Sequence, residues 1–380
     1  MRILNKRIVG AFTAIAIGLV AASCGGSADD LVEQASDALN ELSESGDDDT
    51  ESSGTNITSS DDSGQSSEDA DEGDAPVAEP EFRMPLTGAP LESADEIPNR
   101  PALAVKMPNN RQALPQTGLN EADIVFEEII NDGITRFAAV FHSQGSDPVG
   151  PIRSGRAQDV DILSNLNSPL FAWSGGNPGV TRVVNNSTLT SLSYVGGYGN
   201  SYYRRDGRGG APHNLFSSTD TLWDLTPDEF AIPPQIFPYM LPGEVAVGDK
   251  ASIIEIELDS ILARWDYDAA SGRYLRSEYG EPHMSELTGQ VSADNVVVLL
   301  VEYRQSTIDA KSPEAVTVGS GQALVFTDGV VRTGVWQRSS NTDTWNLFTD
   351  ETLSEPLGLS EGRTWVELPR NNPENVRYVS

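Results

Sequence analysis

Arg204, Arg205, Arg208 and His213 crowd into SYYRRDGRGGAPHNLFSS (201–218), with Asp206 as the only acid among them. Guanidinium groups grip carboxylates or phosphates as bidentate forks and keep their charge when partly buried. An imidazole titrates near neutrality and can exchange a proton with a bound group. Two neighbouring segments could complete such a site. Gly150-Pro151-Ile152-Arg153-Ser154-Gly155-Arg156 places two more guanidinium groups before a helical pattern, where backbone amides favour anions. Ser174-Gly175-Gly176-Asn177-Pro178-Gly179 has the glycine content of a strand–turn–helix element with amides open to an anion.

From Val149 to Thr219 the chain has six Arg, no Lys and three Asp, a local excess of positive charge in a protein whose formal net charge is -32. The candidate ligand-binding residues are therefore Arg153, Arg156, Ser174, Gly175, Gly176, Asn177, Arg204, Arg205, Asp206 and Asn214, with His213 as the candidate acid/base. Each has a plainer reading. Arg153 and Arg156 could brace a loop through Asp159, Asp161 or Glu127. The glycine turn could serve packing, and His213 could be a hydrogen-bonded loop residue. Aromatic neighbours offer the stems of Arg204 and Arg205 a stacking surface.

Other chemistries lack their residues. Ser174 precedes two glycines, but Ala172 stands where a nucleophile elbow needs glycine. His142, His213 and His283 are the only histidines and are far apart, so no zinc signature is present and no metal is assigned. Phosphate-loop and dinucleotide fingerprints are missing, and no cofactor is expected. The acidic balance argues against nucleic acid as a partner.

The elements that must position these residues can be read from periodicity. PALAVKM (101–107) reads as a strand. DIVFEEII and ITRFAAVFHS flank Asn131-Asp132-Gly133 as a hairpin. A three-residue loop sets Ile130 opposite Ile134 and Glu128 opposite Arg136, an attractive cross-strand pair. Residues 154–166 have helical spacing at Val160, Leu163 and Leu166, with Ser154 as N-cap. PLFAWSGG (169–176) reads as a buried strand, NPGVTRVVNN (177–186) as a helix capped by Asn177, and STDTLWDL (218–225) as a short helix.

IPPQIFPYMLPGEV (232–245) is rich in proline, and a domain boundary is placed at 232–249. Beyond it, strand patterns alternate with turns such as Ala270-Ser271-Gly272 and Thr327-Asp328-Gly329. The expected class is α+β: a mixed α/β domain over 83–231, then a mostly antiparallel β domain over 250–380.

The N-terminal segment is an address. Arg2, Lys6 and Arg7 precede an apolar run from Ile8 to Ala22, too short for a comfortable span, followed by Ser23-Cys24-Gly25. Residues 1–23 read as a lipoprotein signal peptide. Cys24, the only cysteine, reads as the acylated residue (palmitate among its chains) that ties the protein to the outer face of the cell membrane. Ala21 replaces the large aliphatic residue usual three positions before that cysteine. Residues 25–82 contain 19 Asp or Glu and no Lys or Arg, so 24–82 is expected to be a disordered acidic stalk.

GLNEADIVFEE, GITRFAAVFHS, DPVGPIRSGR, SGGNPGV and RRDGRGGAPHNL, followed by WDYDAASGRYLR, GSGQALVFTDG, GVWQR and GRTWVEL, resemble the YerB-like family of bacterial lipoproteins over roughly Arg100 to Leu368. The resemblance implies a two-domain extracytoplasmic lipoprotein and brings no activity or catalytic residues with it. Three functions follow: an envelope lipoprotein that binds an anionic polymer or small anion, a hydrolase or transferase using His213, and an assembly factor that meets an envelope protein through an apolar patch near Phe216 and Trp223.

Overall fold

The computed structural model describes residues 79–380; the signal segment 1–23, Cys24 and the acidic stretch up to residue 78 lie outside the described residues. The described chain falls in one compact unit. It is mostly sheet, with short helices at Gln158–Leu163, Pro178–Asn185 and Thr219–Trp223. None of its helices is long and apolar enough to cross a membrane.

An eleven-stranded sheet runs through both halves of the sequence. Its centre is the hairpin Ile124–Ile129 and Thr135–Phe141. Leu103–Asn109 pairs antiparallel with Thr135–Phe141, and Leu170–Trp173 and Thr190–Ser193 continue outward in parallel. On the other side, Thr364–Leu368 inserts in parallel between Ile124–Ile129 and Asn295–Leu299. The long hairpin Gly319–Thr327 and Val330–Arg338 then extends the sheet antiparallel. A six-stranded antiparallel sheet containing Ile253–Leu258, Ile261–Asp268 and Arg273–Glu278 packs on one face.

The two faces bury separate cores. One holds Val125, Phe137, Ile256, Trp265 and Trp365 between the sheets. The other holds Phe126, Phe171, Trp173, Ile162, Val180 and Trp345 beneath the Gln158–Leu163 and Pro178–Asn185 helices and the 232–248 segment. Cover on both faces explains why the central strands read as continuous apolar runs instead of alternating ones.

The hairpin loop has three residues, with Ile130 N–H donating to Ile134 O at 2.8 Å and Glu128 opposite Arg136. The expected attraction between that pair is not what forms. Glu128 turns to Lys106, and Arg136 donates to Ser154 O. The helix expected from Ser154 begins at Gln158, because the Asp159 carboxylate, 2.6 Å from the Arg156 amide, holds the preceding turn open. Thr327 ends one strand, and Asp328 and Gly329 turn into the next with φ of 50° and 78°; both lie in the left-handed region that tight hairpin turns use.

The 232–248 segment contains no strand or helix. It packs into the core through Ile236 and Phe237, and its Tyr239 hydroxyl donates to Leu86 O at 2.9 Å.

Candidate functional site

Glu127 and Glu128 are adjacent on one strand, so their side chains leave opposite faces of the sheet. Both are fully buried, and each anchors a polar cluster.

On the helix side, Lys106 is buried between Glu128 and Asp159, with its ammonium 2.6 Å from Asp159. Burial and the Asp159 charge push the Glu128 carboxyl up to about 7. The Arg153 amide donates to Lys106 O at 2.8 Å, which lays the Gly150–Arg156 segment along this strand. Arg136, Arg153 and Arg156 then stand over the cluster. Burial, then Arg156 and Arg153, lower the Arg136 guanidinium to about 9, and burial followed by Arg156 lowers Arg153.

Arg136 and Arg153 line a cleft of about 330 Å³ together with His213. Buried Asn109 and Thr135, with Asn110, Gln112 and residues of the 130–134 turn, complete its lining. Among the described residues, Arg153 has no side-chain hydrogen bond or acidic partner, and Arg136 has only the Ser154 carbonyl. His213 is held below its ordinary pKa by burial, then by Arg153 and Arg136. Its Nδ1 is buried without a partner.

The three segments singled out in the sequence are neighbours. Ser174 N–H donates to Arg153 O at 2.9 Å, Gly155 N–H to Gly175 O at 3.2 Å, and Ile152 N–H to Leu215 O at 2.6 Å. Their side chains nevertheless divide. Arg153 and His213 face the cleft. Arg156 donates to Asn131 Oδ1 at 2.5 Å and lies 4.0 Å from Asp309. Arg205 forms a bidentate pair with Glu286 at 2.7 and 2.8 Å, and Arg208 lies 3.8 Å from the same carboxylate. Arg204 bonds Asn214 at 2.8 Å on the surface, and Asp206 is exposed.

The glycine turn is not an open nest. Asn177 Oδ1 accepts from the Gly179 and Val180 amides, both at 2.9 Å, and so caps its own helix. Ser174 and Gly175 serve the backbone ladder, while Gly176 is exposed. The amide-rich helix start expected behind Arg153 and Arg156 is also lost, since Asp159 already occupies the Arg156 amide. Phe216 and Trp223 are buried, which removes the expected apolar patch; Arg205 and Arg208 cover the first ring and Arg100 the second.

On the opposite face, Glu127 accepts from Thr135 Oγ1 at 2.6 Å, Asn109 Nδ2 at 3.1 Å and Arg276 Nη2 at 2.8 Å. Arg276 also lies 3.0 Å from Glu278 and 2.6 Å from His283 Nδ1. Burial and then the Glu127 charge raise the Glu367 carboxyl well above the usual carboxylate range. Against the cost of burial, Arg276 holds Glu278 low. Burial and then Arg276 press His283 down to about 3. With Nδ1 accepting from Arg276, Nε2–H donates to Gln116 Oε1 at 2.8 Å. This buried cluster fixes Asn109 and Thr135 under the cleft.

Sequence reasoning missed Arg136 and the whole Glu127–Arg276 cluster. Their signal was a charged residue inside an otherwise buried strand, in IVFEEI, TRFAAVF and TWVEL, and on the inward face of an alternating strand in RYLRSE. Buried charges of this kind are paired or hydrogen-bonded in folded proteins.

Comparison with known proteins assigns the chain to a family. Residues 86–231 match the N-terminal domain, and residues 254–366 the C-terminal domain, of a protein family of unknown function, DUF3048. The chain is 27% identical over 296 residues to a Bacillus subtilis protein named "Putative lipoprotein YerB", covering 76% of this chain and 86% of that one. The crystal structure of YerB protein from Bacillus subtilis superposes with a TM-score of 0.67 at 22% identity, over 79% of this chain and all of that one, which supports the same fold. Matched in order by both of its domains, and by the sheet that joins them, the protein belongs to the DUF3048 family of YerB-like proteins.

Proposed function

We propose that the protein is an extracytoplasmic lipoprotein, held at the membrane by acylated Cys24, whose cleft at Arg136, Arg153 and His213 binds an anionic group of the cell envelope. The name of the Bacillus relative and the signal-like segment ending at Cys24 support the location. One observation carries the binding assignment: Arg153 extends its guanidinium into a cleft shared with Arg136, and no carboxylate among the described residues pairs with it. A half-buried cation without a counter-ion favours any ligand that supplies one, because the surroundings screen charge less than water does.

Binding is preferred to hydrolysis for a local reason. His213 offers a neutral imidazole, but Asp132, the carboxylate on the same cleft, accepts from the Asn131 amide at 2.6 Å at the exposed loop tip. The test is calorimetric titration of the full chain in neutral detergent with inorganic phosphate and with glucuronate. Saturable binding that Arg153→Gln abolishes without lowering the melting temperature supports the assignment. Equal binding by wild type and variant, or none by either, removes it.

A further inference from the structure

We infer that the cleft is built for a doubly charged phosphate monoester on a hydroxylated carrier, in preference to a carboxylate or a phosphodiester; this rests on the cleft being an anion site at all.

The argument begins with which charges are already paired. Lys106 is committed to Glu128 and Asp159. Glu128 and Asp159 both face that ammonium, and neither lies within ion-pair distance of Arg136 or Arg153. Arg156 has Asp309 at 4.0 Å and the Asn131 carbonyl oxygen. Arg136 and Arg153 remain, two guanidinium groups on one cleft with no carboxylate of their own among the described residues. Two positive charges call for two negative ones.

Hydrogen-bond capacity points the same way. Each guanidinium has five N–H donors. Arg153 uses none on a protein side chain or carbonyl, and Arg136 uses its Nη1 on Ser154 O. A carboxylate offers two oxygens in one plane. A phosphate monoester offers three terminal oxygens and nearly two charges at pH 7, so it can meet two forks, one from a strand and one from the irregular segment before the Gln158–Leu163 helix. Esterifying it again removes one charge and one of those oxygens.

The surroundings restrict the carrier. Asn110 and Gln112 border the cleft with neutral amides, which suit hydroxyl groups. The exposed Asp132 at the turn disfavours further negative charge beyond the terminal group. His213, neutral by virtue of burial and its two arginine neighbours, adds a hydrogen-bonding nitrogen without adding charge.

The test is calorimetric titration of the full chain in neutral detergent at pH 7.5 and fixed ionic strength with methyl phosphate, dimethyl phosphate and acetate. Methyl phosphate is expected to bind at least tenfold more tightly than either monoanion. Arg153→Lys, which keeps the charge and loses the fork, is expected to weaken methyl phosphate at least tenfold while melting with the wild type. A preference below tenfold overturns the monoester assignment and leaves the anion cleft standing. Failure of all three anions to bind overturns both. Glycerol 3-phosphate against phosphatidate in the same micelles separates a soluble ester from a lipid headgroup. Tighter binding of phosphatidate overturns the hydroxylated carrier.

Discussion

Arg276 and Glu127 meet at 2.8 Å, both fully buried, and join the six-stranded sheet to the central hairpin of the large one. Their partners extend to Glu278, Glu367, His283 and Trp365, so the pair is the centre of a network drawn from both halves of the sequence.

Removing Arg276 leaves Glu127 and Glu278 without a counter-charge in the core. Arg276→Met is expected to destabilise the protein by about 3–5 kcal/mol, the usual consequence of breaking one side of a buried pair. Urea denaturation monitored by tryptophan fluorescence measures it. A loss below about 1 kcal/mol would mean that water reaches these carboxylates.

Arg153 predicts the opposite pattern. Arg153→Gln removes a cation that depresses the charge of His213 and Arg136, and it breaks no protein hydrogen bond. Its stability should stay within about 0.5 kcal/mol of wild type, as for a surface substitution. The His213 titration, followed by proton NMR, should move upward, because a positive neighbour has gone. An unchanged titration would separate the two side chains.

Two histidines make the fold sensitive to acid. Burial, with Arg100 adding to it, lowers His142 to about 4, and burial with Arg276 lowers His283 to about 3, from 6.5. Between pH 6.5 and 4 the unfolded chain takes up protons that the native state refuses. Their contribution is therefore present above 6.5 and is lost as pH falls toward those values. Glu128, raised to about 7, works in the reverse sense: its contribution is full below 4.5 and disappears as pH rises through 7. His142→Asn should therefore flatten the stability–pH slope between pH 6 and 4.5 by about 1 kcal/mol per pH unit, most of the value of one proton. Denaturation series at each pH check this; a slope equal to wild type's would place the proton uptake elsewhere.

Glu286 fastens the loop that carries His213. Glu286→Gln loosens Arg205 and Arg208 from it. Because this pair is partly exposed, global stability should fall by no more than about 1 kcal/mol. Cleavage by trypsin within 205–214 should nevertheless accelerate, because Gly207, Gly209 and Gly210 have nothing packed over them. Mass mapping of early fragments reads the result, and unchanged cleavage would show that other contacts hold the loop.

The halves on either side of 232–249 share one sheet, with Thr364–Leu368 pairing with strands of both. Residues 79–231 expressed alone would expose the Ile124–Ile129 edge and the face now covered by Trp265 and Trp365. They are expected to fail to give a cooperative melting transition, and to regain one when mixed with 232–380. Independent melting of the two pieces would make them separate domains.

Much of the local structure was legible. The three-residue hairpin loop, the Asn177 cap and the Asp328-Gly329 turn each depend on a few adjacent residues whose backbone preferences are strong. The helix after Ser154 was read too long, because the Asp159 carboxylate that delays its start acts across a turn that periodicity does not register. The site was legible as a region. That Arg153 faces the cleft while Arg205 is spent on Glu286, 81 residues away, was not.

The sequence by itself determined the concentration of arginine within an acidic chain, the strand-rich character and the family. Those depend on composition and order, which need no folding to be read. Only the tertiary structure decided which cations are neutralised. A guanidinium is a bracing group or a binding group according to whether a carboxylate stands beside it, and Glu286, Asp309 and Glu127 reach their arginines through the pairing of distant strands and loops. Arg136 was in plain view within TRFAAVF, opposite Glu128 in register. It became a cleft residue because buried Lys106, on the neighbouring strand, took that carboxylate first.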